Sequence, residues 1–165
     1  MILWEQFDTN EIYILVMLVI VYSALFLSPK KLPRYLTIFF LVWGFTISSL
    51  FDFTIGGGLM DFYKVNDSNQ YELFDFIMFF LFAPFSYFFV YFYKRLNIHP
   101  RRFAFILYII GWSLLGLATE RISTLMKVTD YQKGYHIYYS MVVFLIVQTT
   151  TALYYELIKK QERNQ

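Results

Sequence analysis

Long apolar runs alternate with short polar stretches along almost the whole chain. Five runs stand out, at residues 12–27, 35–54, 73–93, 103–119 and 135–158. Each comes close to or exceeds the ~17 residues that a helix needs to cross a bilayer core. Backbone in lipid must satisfy its hydrogen bonds within its own segment, so such runs read as helices. The pattern predicts an all-α fold: one transmembrane domain over residues 1–165, a polytopic bundle of five transmembrane helices.

The breaks between runs have their own chemistry. SPKKLPR, with two prolines and three cations, separates the first two runs. Gly56-Gly57-Gly58 ends the second, where a turn needs freedom from Cβ. MDFYKVNDSNQYE and TDYQKG read as separate loops in water. Pro84 falls inside the third run and should kink it, its freed carbonyl satisfied by a neighbouring helix. The first run is mostly aliphatic and should remain as a helix, because MILWEQFDTNE lacks the basic start of a cleaved signal. The stretch at 100–121, basic at one end and closing on Glu120 beside Arg121, reads as the segment around which the others organise.

Charge gives the runs a direction. Lys30, Lys31, Arg34, Lys94, Arg95, Arg101, Arg102, Lys159, Lys160 and Arg163 fall on one side, ten of the fourteen basic residues. Lys64, Arg121, Lys127 and Lys133 fall on the other. The positive-inside rule then predicts a cell-membrane protein with its N-terminus outside and its C-terminus in the cytoplasm. The lipid bilayer is the partner this pattern demands; other membrane proteins, or a second copy of the chain, are compatible with it. A net charge of +2 offers nothing to nucleic acid. The chain has no cysteine, which removes disulfides, thiolate metal sites and a cysteine nucleophile.

Candidate chemistry rests on a few polar residues at membrane depth. Asp52 and Glu120 each fall seventeen residues past the start of their run, at Tyr35 and Phe103. At a rise of ~1.5 Å per residue, both sit about 25 Å from the basic edge. Each also continues a stripe of small residues, Gly44-Ser48-Asp52 and Ser113-Gly116-Glu120, of the kind that lets membrane helices approach closely. Two readings follow: an outward-opening pocket for an ion or ligand, or structural acids that reach the headgroups or pair with a cation. Asp75 opens the third run, where the helix dipole favours a carboxylate as a cap. His136 opens the fifth. Gln148, beside three threonines, could bond across to a neighbouring helix or touch a ligand. The candidate pocket set is therefore Asp52, Asp75, Glu120, His136 and Gln148. Their spacing calls for no metal. His99 and His136 lie on opposite sides, so they cannot share a haem iron, and no cofactor is expected. GxSxG, Walker, HExxH and DxD motifs are absent from the sequence, which argues against an enzyme.

Several of these features occur together in one known group. The Pro-Lys loop, the acid closing the second run, the aromatic third run with Pro84, Glu120 closing the fourth and Gly-Tyr-x-x-Tyr-Tyr-Ser at 134–140 form the pattern. It resembles an uncharacterised family of small five-helix integral membrane proteins of endospore-forming, low-GC Gram-positive bacteria. The resemblance implies topology and location in a bacterial inner membrane, and no activity. The leading expectation is a non-enzymatic interaction or accessory component. The alternative is a small ion or ligand carrier or sensor that uses an outward-facing Asp52/Glu120 pocket.

Overall fold

The computed structural model describes residues 7–29, 32–56, 59–65 and 72–164. The elements follow in the order α1 (Thr9–Leu27), α2 (Arg34–Thr54), β1 (Tyr63–Val65), α3 (Leu73–Arg95), α4 (Phe103–Leu125), β2 (Thr129–Tyr131) and α5 (Ile137–Arg163). All five helices are long and apolar enough to cross a membrane. Their outward faces are apolar, with Val19, Ile38, Leu114 and Ile146 all exposed. Water does not tolerate so wide an apolar surface on a monomer, whereas lipid does. The fold is an all-α bundle of five membrane-length helices. Gly57 and Gly58 of the triple-glycine turn, and Lys30 and Lys31, lie outside the described residues.

The helices differ from the apolar runs mainly at their ends, because polar turns continue a helix whose ends are satisfied. α1 starts at Thr9, before the expected residue 12, through a capping box. Asp8 Oδ1 accepts from the Asn10 N–H at 3.2 Å, and Glu11 Oε2 accepts from the Asp8 N–H at 2.9 Å. α4 runs on to Leu125, past the expected 119, and α5 to Arg163, past 158. α5 also begins at Ile137 rather than 135, with His136 as its N-cap residue. α3 continues through Pro84 without a break. A proline at that position leaves the Phe80 carbonyl without its helical N–H, and the Tyr22 hydroxyl of α1 donates to it at 3.1 Å.

The helix at the centre is α3, which corrects the organising role expected of residues 100–121. Half of its apolar window is buried, against 17% for α1 and α4 and 22% for α2 and α5. It packs against α1, α2 and α5, while α4 packs mainly on α5. Small residues explain the choice. A Cβ at Gly44 of α2 would sit 2.8 Å from the Ala83 and Phe82 carbonyl oxygens of α3, so the two backbones meet there. Towards the basic end the interior is filled by Phe40, Phe89, Val90, Tyr93, Ala152 and Tyr155. The Tyr108 hydroxyl ties α4 to the Phe89 carbonyl, and Trp43 Nε1 donates to Thr151 Oγ1 at 2.9 Å, tying α2 to α5.

The two polar stretches at the opposite end are not separate loops. β1 and β2 pair antiparallel, Tyr63 with Tyr131, Lys64 with Asp130 and Val65 with Thr129. The Gln132 N–H extends the ladder to the Phe62 carbonyl at 2.8 Å. Lys133 Nζ lies 2.8 Å from Asp61 Oδ2. One cation of that end is thus paired with an acid of the same end.

Candidate functional site

A cavity of about 140 Å³ lies between α2, α3, α4 and α5, beneath the ribbon. Four of the five residues singled out from the sequence line it: Asp52, Asp75, Glu120 and Gln148. The fifth, His136, does not. It is exposed at the start of α5, its ring stacked near Tyr139 with centroids 6.4 Å apart. Its backbone is extended, with φ −129° and ψ 148°, so its side chain points opposite to that of its neighbour Tyr135, which is buried and lines the cavity. Among the described residues, no group of three or more His, Asp or Glu side chains could hold a metal ion.

Glu120 is held by hydroxyls. Ser140 Oγ donates to its Oε1 at 2.6 Å and the Tyr131 hydroxyl donates to the same oxygen at 2.8 Å. The Tyr135 hydroxyl lies 2.9 Å from Ser140 Oγ; since Ser140 donates to the carboxylate, Tyr135 is the donor to Ser140. Burial pushes the hydroxyls of Tyr131 and Tyr135 above their usual range, and the Glu120 charge pushes both the same way. Both tyrosines thus stay protonated and serve as donors at neutral pH. No cation pairs with Glu120 among the described residues, and Arg121 is exposed. No donor among them reaches its Oε2, so both hydrogen bonds fall on one oxygen and leave the other open.

Asp52 and Asp75 take positions near the same end. Asp52 is buried two residues before the end of α2, and a Cβ at Gly56 would meet its Oδ1 at 2.7 Å. Only a glycine leaves room for the chain to turn over that carboxylate. Asp75 caps α3: its Oδ2 accepts from the Glu72 N–H at 2.8 Å.

Gln148 lies deeper. It is 2% exposed, and its Oε1 is buried with no hydrogen-bond partner. The interhelical bond expected of it is made instead at Thr151, one turn further along α5, whose Oγ1 accepts from Trp43 Nε1. A buried amide oxygen without a donor costs about 1–3 kcal/mol, so the position is unsatisfied by the protein alone. The remaining lining is largely apolar and includes Phe51, Phe79, Phe82, Phe85 and Phe144. Among the described residues no Lys, Arg or His lines the cavity.

The hydroxyl partners of Glu120 escaped the sequence reading. Tyr135 and Ser140 belong to the Gly-Tyr-x-x-Tyr-Tyr-Ser segment, whose turn between ribbon and helix brings Ser140 onto Glu120 and Tyr135 onto Ser140. Tyr131 arrives only because β2 pairs with β1.

Fold and cavity together define a multi-pass α-helical membrane protein with an acid-lined internal chamber. Comparison with protein-family models, with curated proteins and with solved structures gave no match.

Proposed function

We propose that the protein is a non-enzymatic, cation-binding component of a bacterial cytoplasmic membrane, acting as a carrier or sensor through this cavity. One observation carries the reading: three carboxylates and Gln148, whose buried amide oxygen has no hydrogen-bond partner, share a cavity that no basic side chain lines among the described residues. Ionisable groups at membrane depth are costly, and they persist where a ligand or pathway uses them. That weighs the ligand-binding reading above a purely accessory role in the bilayer. The split of basic residues supports an N-terminus outside and a cytoplasmic C-terminus, with the ribbon and cavity mouth facing out. The bacterial membrane rests on the family resemblance.

The test is a stability screen of the purified protein in detergent. Sodium, potassium, magnesium and protonated amines are added in turn to the wild type and to Glu120→Gln. A cation that binds the native state raises its melting temperature in a concentration-dependent way. The reading expects at least one cation to stabilise the wild type and to lose that effect in the variant. Equal response of the two proteins to every cation would remove it. Reporter fusions at Asn97 and Asn164 should report cytoplasm, and one at Lys133 the outside.

A further inference from the structure

We propose that the ligand is a small organic ammonium ion. It carries an apolar body about the size of a benzene ring and a second hydrogen-bond donor at its far end. This rests on the cation-binding reading above and names the class of cation.

The sign of the charge comes from the lining. Asp52, Asp75 and Glu120 border the cavity, no basic side chain lines it among the described residues, and no cation pairs with Glu120 among them. An anion would be repelled by the Glu120 carboxylate there. Glu120 has one carboxylate oxygen saturated by Tyr131 and Ser140, which fixes the group and leaves Oε2 for an incoming N–H.

The organic body comes from the rest of the wall. A bare metal ion needs several oxygen ligands at short range, and among the described residues no group of acids and histidines provides them. Aliphatic side chains and five phenylalanines, Phe51, Phe79, Phe82, Phe85 and Phe144, stand in the wall instead. Their ring faces attract an ammonium and their surfaces bury hydrocarbon. The volume, about 140 Å³, compares with the ~150 Å³ of a cavity that holds benzene.

The second donor comes from Gln148. Ser140, which touches Glu120, and Gln148 both face this cavity from α5, eight residues apart. Their Cα atoms are therefore separated by ~12 Å along the helix axis. The lining therefore holds a carboxylate oxygen beside Ser140 and, about two helical turns further along α5, the residue with a buried amide oxygen lacking a donor. A monopolar amine satisfies the first alone. An amine with a remote O–H or N–H satisfies both.

Isothermal titration of the full chain in detergent at neutral pH tests this directly. The probes are benzylamine, 4-(aminomethyl)phenol, benzyl alcohol, benzoate, sodium chloride and magnesium chloride. Wild type should bind benzylamine saturably, about tenfold or more above benzyl alcohol and benzoate, because only the ammonium makes a charge-assisted bond. It should bind 4-(aminomethyl)phenol more tightly still. Glu120→Gln should weaken both amines about tenfold, and Gln148→Leu should erase the difference between them. Equal binding of benzyl alcohol or benzoate overturns the inference from the wild type alone, so it stands or falls even if a variant does not fold. Saturable, Glu120-dependent binding of sodium or magnesium in place of the amines overturns the organic ligand and leaves the cation reading standing. Absence of binding by any cation removes both.

Discussion

Replacing Gly44 by alanine probes the contact that builds the bundle. The new Cβ would lie 2.8 Å from the Ala83 and Phe82 carbonyl oxygens and 2.9 Å from Ser86 Oγ. Two of these three atoms are backbone of the central helix, so neither can rotate away. Reaching ordinary van der Waals distance, 3.4 Å, requires α2 and α3 to part by about 0.6 Å along a contact they share for most of their length. Overpacking of this kind costs ~1–3 kcal/mol, and the higher helix propensity of alanine returns up to ~1 kcal/mol. The net expectation is a loss of about 1–2 kcal/mol. Gly111 is the control, since a Cβ there meets nothing within 4 Å. Equilibrium unfolding in mixed micelles should show Gly44→Ala clearly less stable than Gly111→Ala. Equal stability of the two would refute the backbone contact between α2 and α3. Gly116→Ala separates fold from cavity. Its Cβ would lie 2.8 Å from two atoms of the Phe144 ring, a side chain that lines the cavity and can move into it. That variant should lose less stability than Gly44→Ala and more of its amine binding; the reverse order would contradict the placement of Phe144.

Tyr22→Phe removes the donor that satisfies the Phe80 carbonyl above Pro84, and should cost about 0.6–2 kcal/mol in the same unfolding assay; no change would mean the carbonyl finds another partner. The ribbon register is open to cross-linking because the native chain has no cysteine. Lys64→Cys with Asp130→Cys places two directly opposed positions together and should cross-link on mild oxidation, whereas Lys64→Cys with Tyr131→Cys offsets the register and should not. Ser140→Ala cuts the link between Tyr135 and Glu120 and takes one of two donors from Oε1. It should weaken benzylamine binding less than Glu120→Gln does, measured by titration; an equal or larger loss would make Ser140 itself a ligand contact.

Helix number and the lipid-facing surface were legible because hydropathy acts over whole segments and tolerates local detail. Helix ends were not, since Thr9 to Glu11 and the turns after Thr119 and Ile158 are held by caps and continued backbone bonds rather than by apolar character. The stripe through Gly44 pointed correctly to a close approach, and the approach is to α3. The ribbon was missed because each strand is three residues long and gains its partner from across the bundle. That pairing brings Tyr131 to Glu120, so the coordination of the acid was invisible until the two strands met. Depth counting put Asp52 and Glu120 at one level, and both border one cavity. The start of the fifth run puts His136 at the same end, yet its side chain is exposed and does not line the cavity. Gln148 reads as interhelical glue in sequence, because nothing local reveals that Thr151 takes the available donor.

The most direct test of an acid-lined, ligand-accessible cavity is a single cysteine inside it. Ser48 lines the wall one turn from Asp52, and the chain supplies no competing thiol. Ser48→Cys is reacted in detergent with a cationic ammonium thiosulfonate and, separately, with its anionic sulfonate counterpart. The cavity described here expects the cationic reagent to react about tenfold faster or more, the ratio to fall towards unity on adding Glu120→Gln, and benzylamine to protect the thiol. Equal rates for the two reagents, unchanged by Glu120→Gln, would contradict it.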